Sequence, residues 1–504
     1  MKESKQKIPA IPVIYTLLTL ALVAIFSFSV FGETIPVNDG AGFDGEFYRE
    51  VFRNFSGTFF TDGYDSFRIQ RIFPFCFMNV IYRLAGIPLT NTLMTNGMYV
   101  LLFINLALQL FLFFKFARFL KWKPVTTVIL FALFFFNHAT LKNFGYEPFQ
   151  TDPYAITIAM AAYYLFIKGR VRTAFAISLL GLFTWPTVTY VMVLLLLFPR
   201  PKDCSAINPP VEGSPHLLDR TFPRLFQVLP IAYAFGAGAL VLLFYAFHKQ
   251  GILSSLLFTE ASPALIVASL ALFVAALLAV FFKVPTLPYS ARSFIKSFNR
   301  KAFLGTLLCI AAVSMFLRLH TNDEFFFDGK LFLLQVIIRP LKYPLITFAG
   351  HVVYWGALSI VIIVLAKDFT RNFAEKSPGH ALVLLAFLFF ALDSESRHIA
   401  TFIPLLLPAL GAALDKANLS AKAAVFIVAL QILLAHFYVP INVEGFAESL
   451  EKLDFNTPEA QRYFMNYGPW MTFGHFMEWL VAALGAFIGT NEVFKHAKRP
   501  QSGN

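Results

Sequence analysis

The chain has 504 residues, 58% of them hydrophobic and only 14% charged, with 62 Phe and a mean hydropathy of +0.66. That composition excludes a soluble globular domain and requires repeated bilayer crossings. A net charge of +12 suits a nucleic-acid partner only if the basic residues gather on one surface, and Cys76, Cys204 and Cys309 have neither metal spacing nor an even-numbered framework, so zinc and disulfides do not organise the chain.

Lys2, Lys5 and Lys7 precede an apolar run at 11–31 that is too long for a signal-peptide core, which predicts an uncleaved first span. Residues 32–91 follow as the first large outer loop. Within it, 75–87 is apolar but short and interrupted by Asn79 and Arg83, so it predicts a helix lying in the membrane interface. Further spans are predicted at 92–116, 125–140, 153–167, 173–183, 186–199, 226–247 and 262–282. The rest fall at 303–318, 347–366, 380–392, 399–414, 423–437 and 476–490. That makes about fourteen, several short enough to be half-helices held inside a bundle. The pair 173–183 and 186–199 is expected to meet at Trp185-Pro186, near the outer face. The expected fold is all-α, a single polytopic transmembrane bundle over 1–504 with a last long outer loop at 438–475.

Alternating crossings from a cytoplasmic N-terminus put 27 of the 41 Lys and Arg, and only 8 of the 29 Asp and Glu, on the inner side. This positive-inside bias predicts both termini in the cytoplasm. It also accounts for the basic charge without a nucleic-acid partner. The outer side collects the polar loops: 32–91, the stretch around Glu147 and Asp152, Arg318 to Lys342, Asp393 to His398, and 438–475.

No Gly-rich loop ends in Gly-Lys-Ser/Thr, and no His-Glu-x-x-His pair or Gly-x-Ser-x-Gly elbow is present, which argues against an energy-coupled pump with its own nucleotide site. The first outer loop is the exceptional segment. It holds Asp39, Asp44, Glu46 and Asp65 together with Arg68 and Arg71. Asp44 lies in Gly42-Phe43-Asp44-Gly45, where the backbone can turn tightly and bring a carboxylate close to a ligand. Arg68 and Arg71 share a face of one helical turn, just before Pro74, which suits the first turn of the next helix. Cations at a helix start are unfavourable unless an anion sits there, so the pair reads as a phosphate seat, with an arginine pair held by Asp62 and Asp65 as the plainer reading.

The run Phe43-Asp44-Gly45-Glu46-Phe47-Tyr48, followed by Asp65-x-x-Arg68-x-x-Arg71 and Pro74, resembles the first outer loop of bacterial GT-C glycosyltransferases. These integral enzymes are distant relatives of protein O-mannosyltransferases and aminoarabinose transferases. Thr151-Asp152-Pro153 is similar to the family's acidic-Pro signature after the third span, and Arg397 ahead of Pro404 and Pro408 to a later family arginine.

The resemblance implies a GT-C-like fold in the bacterial inner membrane with its active site on the periplasmic side. It implies transfer of a sugar from a polyprenyl-phosphate-linked donor to a glycan, lipid or protein acceptor, with Asp44 as catalytic base. Independently, a sugar phosphate leaves as an acidic group, so one carboxylate base and fixed cations suffice and no general acid is needed. Arg68 and Arg71 would then bind the donor phosphate. Asp39, Glu46, Asp65, Glu147, Asp152, Glu395 and Arg397 are secondary candidates to position the acceptor, bind phosphate or hold a divalent metal, which some relatives need and others do not. The alternative function is a transporter or flippase of lipid-linked sugars. It is disfavoured because the spans are almost free of charge and no internal repeat is visible.

Overall fold

The computed structural model describes residues 10–199, 224–257, 259–260, 262–322, 329–464 and 468–498. The two termini, the connection 200–223 with Cys204, predicted as inner, and Asp323, Glu324 and Asp328, predicted as outer, lie outside the described residues. What is described is a helical bundle with one short parallel strand pair.

Among the described residues, six helices are long and apolar enough to cross a membrane: Pro12–Val30, Asn91–Leu120, Leu225–Ala246, Pro263–Phe281, Arg300–Arg318 and Phe473–Ala497. Counting each of two bent pairs as one span raises this to eight: Pro124–Phe135 with Ala139–Tyr146 at 51°, and Lys330–Leu341 with Ile346–Trp355 at 101°. Most other predicted spans are apolar helices of 10–17 residues, including Asp152–Ile167, Val171–Phe183, Thr187–Leu197, Pro378–Phe390 and Ala421–Ala435. A fourteen-fold count therefore includes pieces that do not cross by themselves. Such pieces survive where their ends are satisfied by protein.

Several polar side chains do that work. Gly356, at φ 63°, interrupts the predicted span 347–366, and a Cβ there would lie 2.7 Å from the Gln431 amide. The Gln431 amide donates to the carbonyls of Phe136 (2.8 Å) and Trp355 (3.3 Å), both at helix ends. Asn105 and Gln109, inside a long apolar helix, both donate to the Pro153 carbonyl. Polar residues in spans here replace backbone partners that lipid cannot supply.

Helix α1 (Ala10–Val30) and helix α4 (Asn91–Leu120) run antiparallel, with Tyr15 against Phe114 and Phe26 against Phe103. The helices Ile346–Trp355 and Ile403–Ala417 are almost wholly buried at the centre. Leu225–Ala246, Pro263–Phe281 and Arg300–Arg318 instead leave Phe235, Leu242, Val267 and Leu308 between 64% and 76% exposed. Large contiguous apolar exposure of this kind marks a lipid-facing surface.

The stretch predicted as the first outer loop is itself helical. Helix α2 (Phe43–Phe60) packs on helix α3 (Phe73–Leu84), which carries Pro74 in its first turn and leaves Phe77, Val80 and Leu84 exposed. Between them, strand β1 (Tyr64–Asp65) pairs in parallel with strand β2 (Thr321–Asn322). The loop Arg318 to Lys342 is less loop than the sequence suggests. Gly329–Ile338 is a helix, and Arg339 after it is buried. The eight residues between Lys330 and Arg339, Gln335 among them, are too few to announce a span.

Candidate active site

The chain enters α2 through a run of left-handed residues, Asn38 and Asp39 at φ 49° and Gly40 and Gly42 at φ 82° and 87°. Asn38 closes this turn by donating its side-chain amide to the Gly42 carbonyl at 3.0 Å. Asp44 thereby stands in the first turn of α2, where a carboxylate complements the helix dipole, with its side chain 45% exposed. Gly42 and Gly45 allow the close approach of the facing wall. A Cβ on Gly42 would meet the Glu147 carboxylate at 3.3 Å, and one on Gly45 the Phe149 Cβ at 3.1 Å.

Asp65 accepts from the backbone N–H groups of Phe67 and Arg68 and so starts the turn that carries the two arginines. Arg68 lies 3.7 Å from both Asp44 Oδ1 and Asp65 Oδ2, over the Phe47 ring. Arg71 ends the 3-10 turn Ile69–Arg71, its guanidinium 4.1 Å from the Phe67 ring centre and 4.3 Å from that of Trp185. Tyr48 stacks on Phe75 at 4.6 Å, and burial pushes its phenol up to about 12 even with Arg71 beside it.

These groups face Glu147, Asp152, Arg397, Tyr463 and Trp470 across a cavity of about 190 Å³. Glu147 accepts short hydrogen bonds from Tyr463 Oη and Gln150 Nε2. Burial pushes its carboxyl up to about 7, against the pull of those bonds and of Arg397. Asp152 is buried, and its Oδ1 has no hydrogen-bond partner. Arg397 is held from behind: its Nε donates to Glu395 Oε1 at 2.6 Å, and Glu395 Oε2 accepts from Arg339 at 2.8 Å. Asp393 bridges Arg339 (3.3 Å) and His398 Nδ1 (2.9 Å). Burial raises the Glu395 carboxyl, but His398, Arg397 and Arg339 together outweigh it and hold the group below the usual carboxylate range.

Of the ten sequence candidates, Asp44, Arg71, Glu147, Asp152 and Arg397 line this one cavity. Arg68 reaches it only through Asp44, and Asp65 sits behind Arg68. Glu395 sits behind Arg397. Asp39 and Glu46 face away: Asp39 accepts from Asn91 at 3.2 Å, and Glu46 pairs with Arg49. Sequence reasoning did not single out Gln150, Tyr463, Trp470 or Arg339. Nothing local marks them, since Tyr463 meets Glu147 only after some 300 residues of intervening chain.

The ligand atoms of Asp393, Glu395 and His398 lie within 4.8 Å of one another, a spacing that suits a metal ion. Arg339 and Arg397 already occupy those carboxylates, so a cation there would have to displace two guanidinium groups.

The arrangement brings the half-exposed Asp44 carboxylate to one small cavity with two guanidinium groups, Arg71 on its own wall and Arg397 on the facing one, which suits proton removal beside a bound anion. Comparison with family models, with curated proteins and with solved structures gives no match to this chain, so its functional reading rests on the residues themselves.

Proposed function

We propose that the protein is a GT-C-type glycosyltransferase of the bacterial inner membrane, moving a sugar from a polyprenyl-phosphate-linked donor to an acceptor on the outer face. The observation that carries this reading is the convergence of Asp44, Arg71 and Arg397, from three distant parts of the chain, on one cavity.

Arg71 and Arg397 bind the donor phosphate, Arg71 with its planar face fixed between two rings and Arg397 aligned by Glu395. Asp44 takes the proton from the acceptor hydroxyl as its oxygen attacks the sugar C1. The bond from C1 to the phosphate oxygen breaks in the same displacement, with inversion, and the electron pair leaves with the phosphate. The two arginines stabilise the charge that grows there. Arg68, 3.7 Å from Asp44, holds the carboxylate in place by charge attraction. Glu147 and Tyr463 lie where they can hold the acceptor.

The test is mass spectrometry of lipid-linked sugars and surface glycans in cells carrying the parent, Asp44→Asn, Glu46→Gln or no copy. Asn keeps the shape of Asp but accepts no proton. The expected outcome is normal insertion of Asp44→Asn with transfer reduced at least about a hundredfold, and a smaller loss for Glu46→Gln. Parent-like turnover in purified Asp44→Asn moves the base to Asp152, which lines the same cavity. If neither matters, the reading gives way to a carrier of lipid-linked sugars.

A further inference from the structure

A second cavity lies at the other end of α1 and α4. It is a groove of about 610 Å³ between Tyr15, Phe114, Ala117, Trp122 and Pro124, and the cations Arg118 and Lys121 line it. Its walls continue along α1 into the exposed residues Val13, Ile14, Leu17 and Leu20, so the groove opens toward the lipid-facing side.

Asp415 and Asp368 stand at this end too, paired with Lys123 and Lys416, but the connections 115–124 and 168–172 carry basic residues and no acidic one. Lys115, Arg118, Lys121, Lys123 and Lys168 fall within two neighbouring connections. Lys123 is turned away, donating to the Asp415 carbonyl at 3.0 Å and to Asn418 at 2.9 Å. Lys115 lies over Phe111, and Lys168 over Phe119 and Tyr164. Neither Arg118 nor Lys121 meets a carboxylate among the described residues. They stand three apart at the end of α4, where the helix dipole welcomes each but where they also repel each other. An anion between them removes that repulsion, and apolar walls beside it take hydrocarbon.

We infer that this groove binds one anionic phospholipid of the inner leaflet, its phosphate between Arg118 and Lys121 and its acyl chains along Tyr15, Phe114 and the exposed stripe of α1. Basic pockets between helices on the cytoplasmic side hold such headgroups, and each cation near the phosphate contributes about fivefold in affinity. The site is independent of the catalytic reading. It lies a helix length of roughly 30 Å from the first cavity.

The experiment uses the full-length protein in detergent, titrated with dioleoylphosphatidylglycerol or dioleoylphosphatidylcholine and read by native mass spectrometry. The parent is expected to retain one phosphatidylglycerol in clear preference to phosphatidylcholine. Arg118→Gln and Lys121→Gln should each weaken that binding about fivefold, and the double variant about twenty-fivefold. Lys115→Gln, a charge at the same end outside the groove, should stay within about twofold, and the charge-conserving Arg118→Lys should keep the preference and so separate lost binding from lost folding. Equal retention of the two lipids by the parent overturns the proposal, as does an undiminished preference in the double variant. Displacement of the bound phosphatidylglycerol by an equimolar polyprenyl phosphate also overturns it, by making the groove a seat for the carrier lipid.

Discussion

Glu147 is where the early and late parts of the chain meet in one hydrogen bond, and its burial makes it sensitive to pH. Its carboxyl is raised from the ordinary 4.5 to about 7, so the folded protein holds a proton that the unfolded chain has already released between those values. Stability from this group is full below pH 4.5 and is lost as pH rises to about 7, a change of about 3 kcal/mol. Thermal unfolding in detergent should show that fall, and Glu147→Gln should flatten it. Arg71 supports a second prediction. Arg71→Lys keeps the charge but loses the planar contact with Phe67 and Trp185, so donor use should fall with expression retained; unchanged donor affinity would remove Arg71 from the phosphate site. Why five of the candidates could be picked from sequence is a matter of scarcity, because a charge in an apolar chain needs water or a partner. Tyr463 and Trp470 carry no such mark, and aromatic residues in outer loops are ordinary membrane anchors.

At the scale of elements, the entry into α2 is set by glycine. Gly42 holds φ 87° and ψ 179°, a region closed to other residues, and faces Glu147. Gly42→Ala should cost about 1–3 kcal/mol in unfolding free energy, whereas Gly236→Ala, with open space around its Cβ, should cost nothing measurable. Some elements were readable from local signals. Pro74 in the first turn of α3 is one, and the meeting of two short helices at Trp185-Pro186 is another, with Thr189 Oγ1 bonded back to the Ser178 carbonyl. Others were not. The helix Gly329–Ile338 is too short to read as a span, and the break at Gly356 depends on Gln431, about 75 residues away in sequence.

At the scale of the molecule, the all-α bundle was legible because hydropathy is summed over whole segments, while the span count was not, because hydropathy cannot tell a crossing from a buried half-helix. The orientation can be measured with cysteines introduced into a cysteine-free parent. Asp62→Cys, exposed beside β1, should react with an impermeant maleimide in intact cells, and Lys422→Cys only after permeabilisation; the reverse pattern would invert the topology. The cavity also has a consequence for biosynthesis. Its first wall, at Gly42 to Arg71, leaves the ribosome about 400 residues before Tyr463 and Trp470, which complete it. At translation rates of about 5–20 residues per second, the 316 positions from Glu147 to Tyr463 take roughly 15–65 s to add, and through that time Glu147 lacks its tyrosine. The cavity is thus left open while the bundle between its two walls is made, and closes only once Tyr463 and Trp470 have been added.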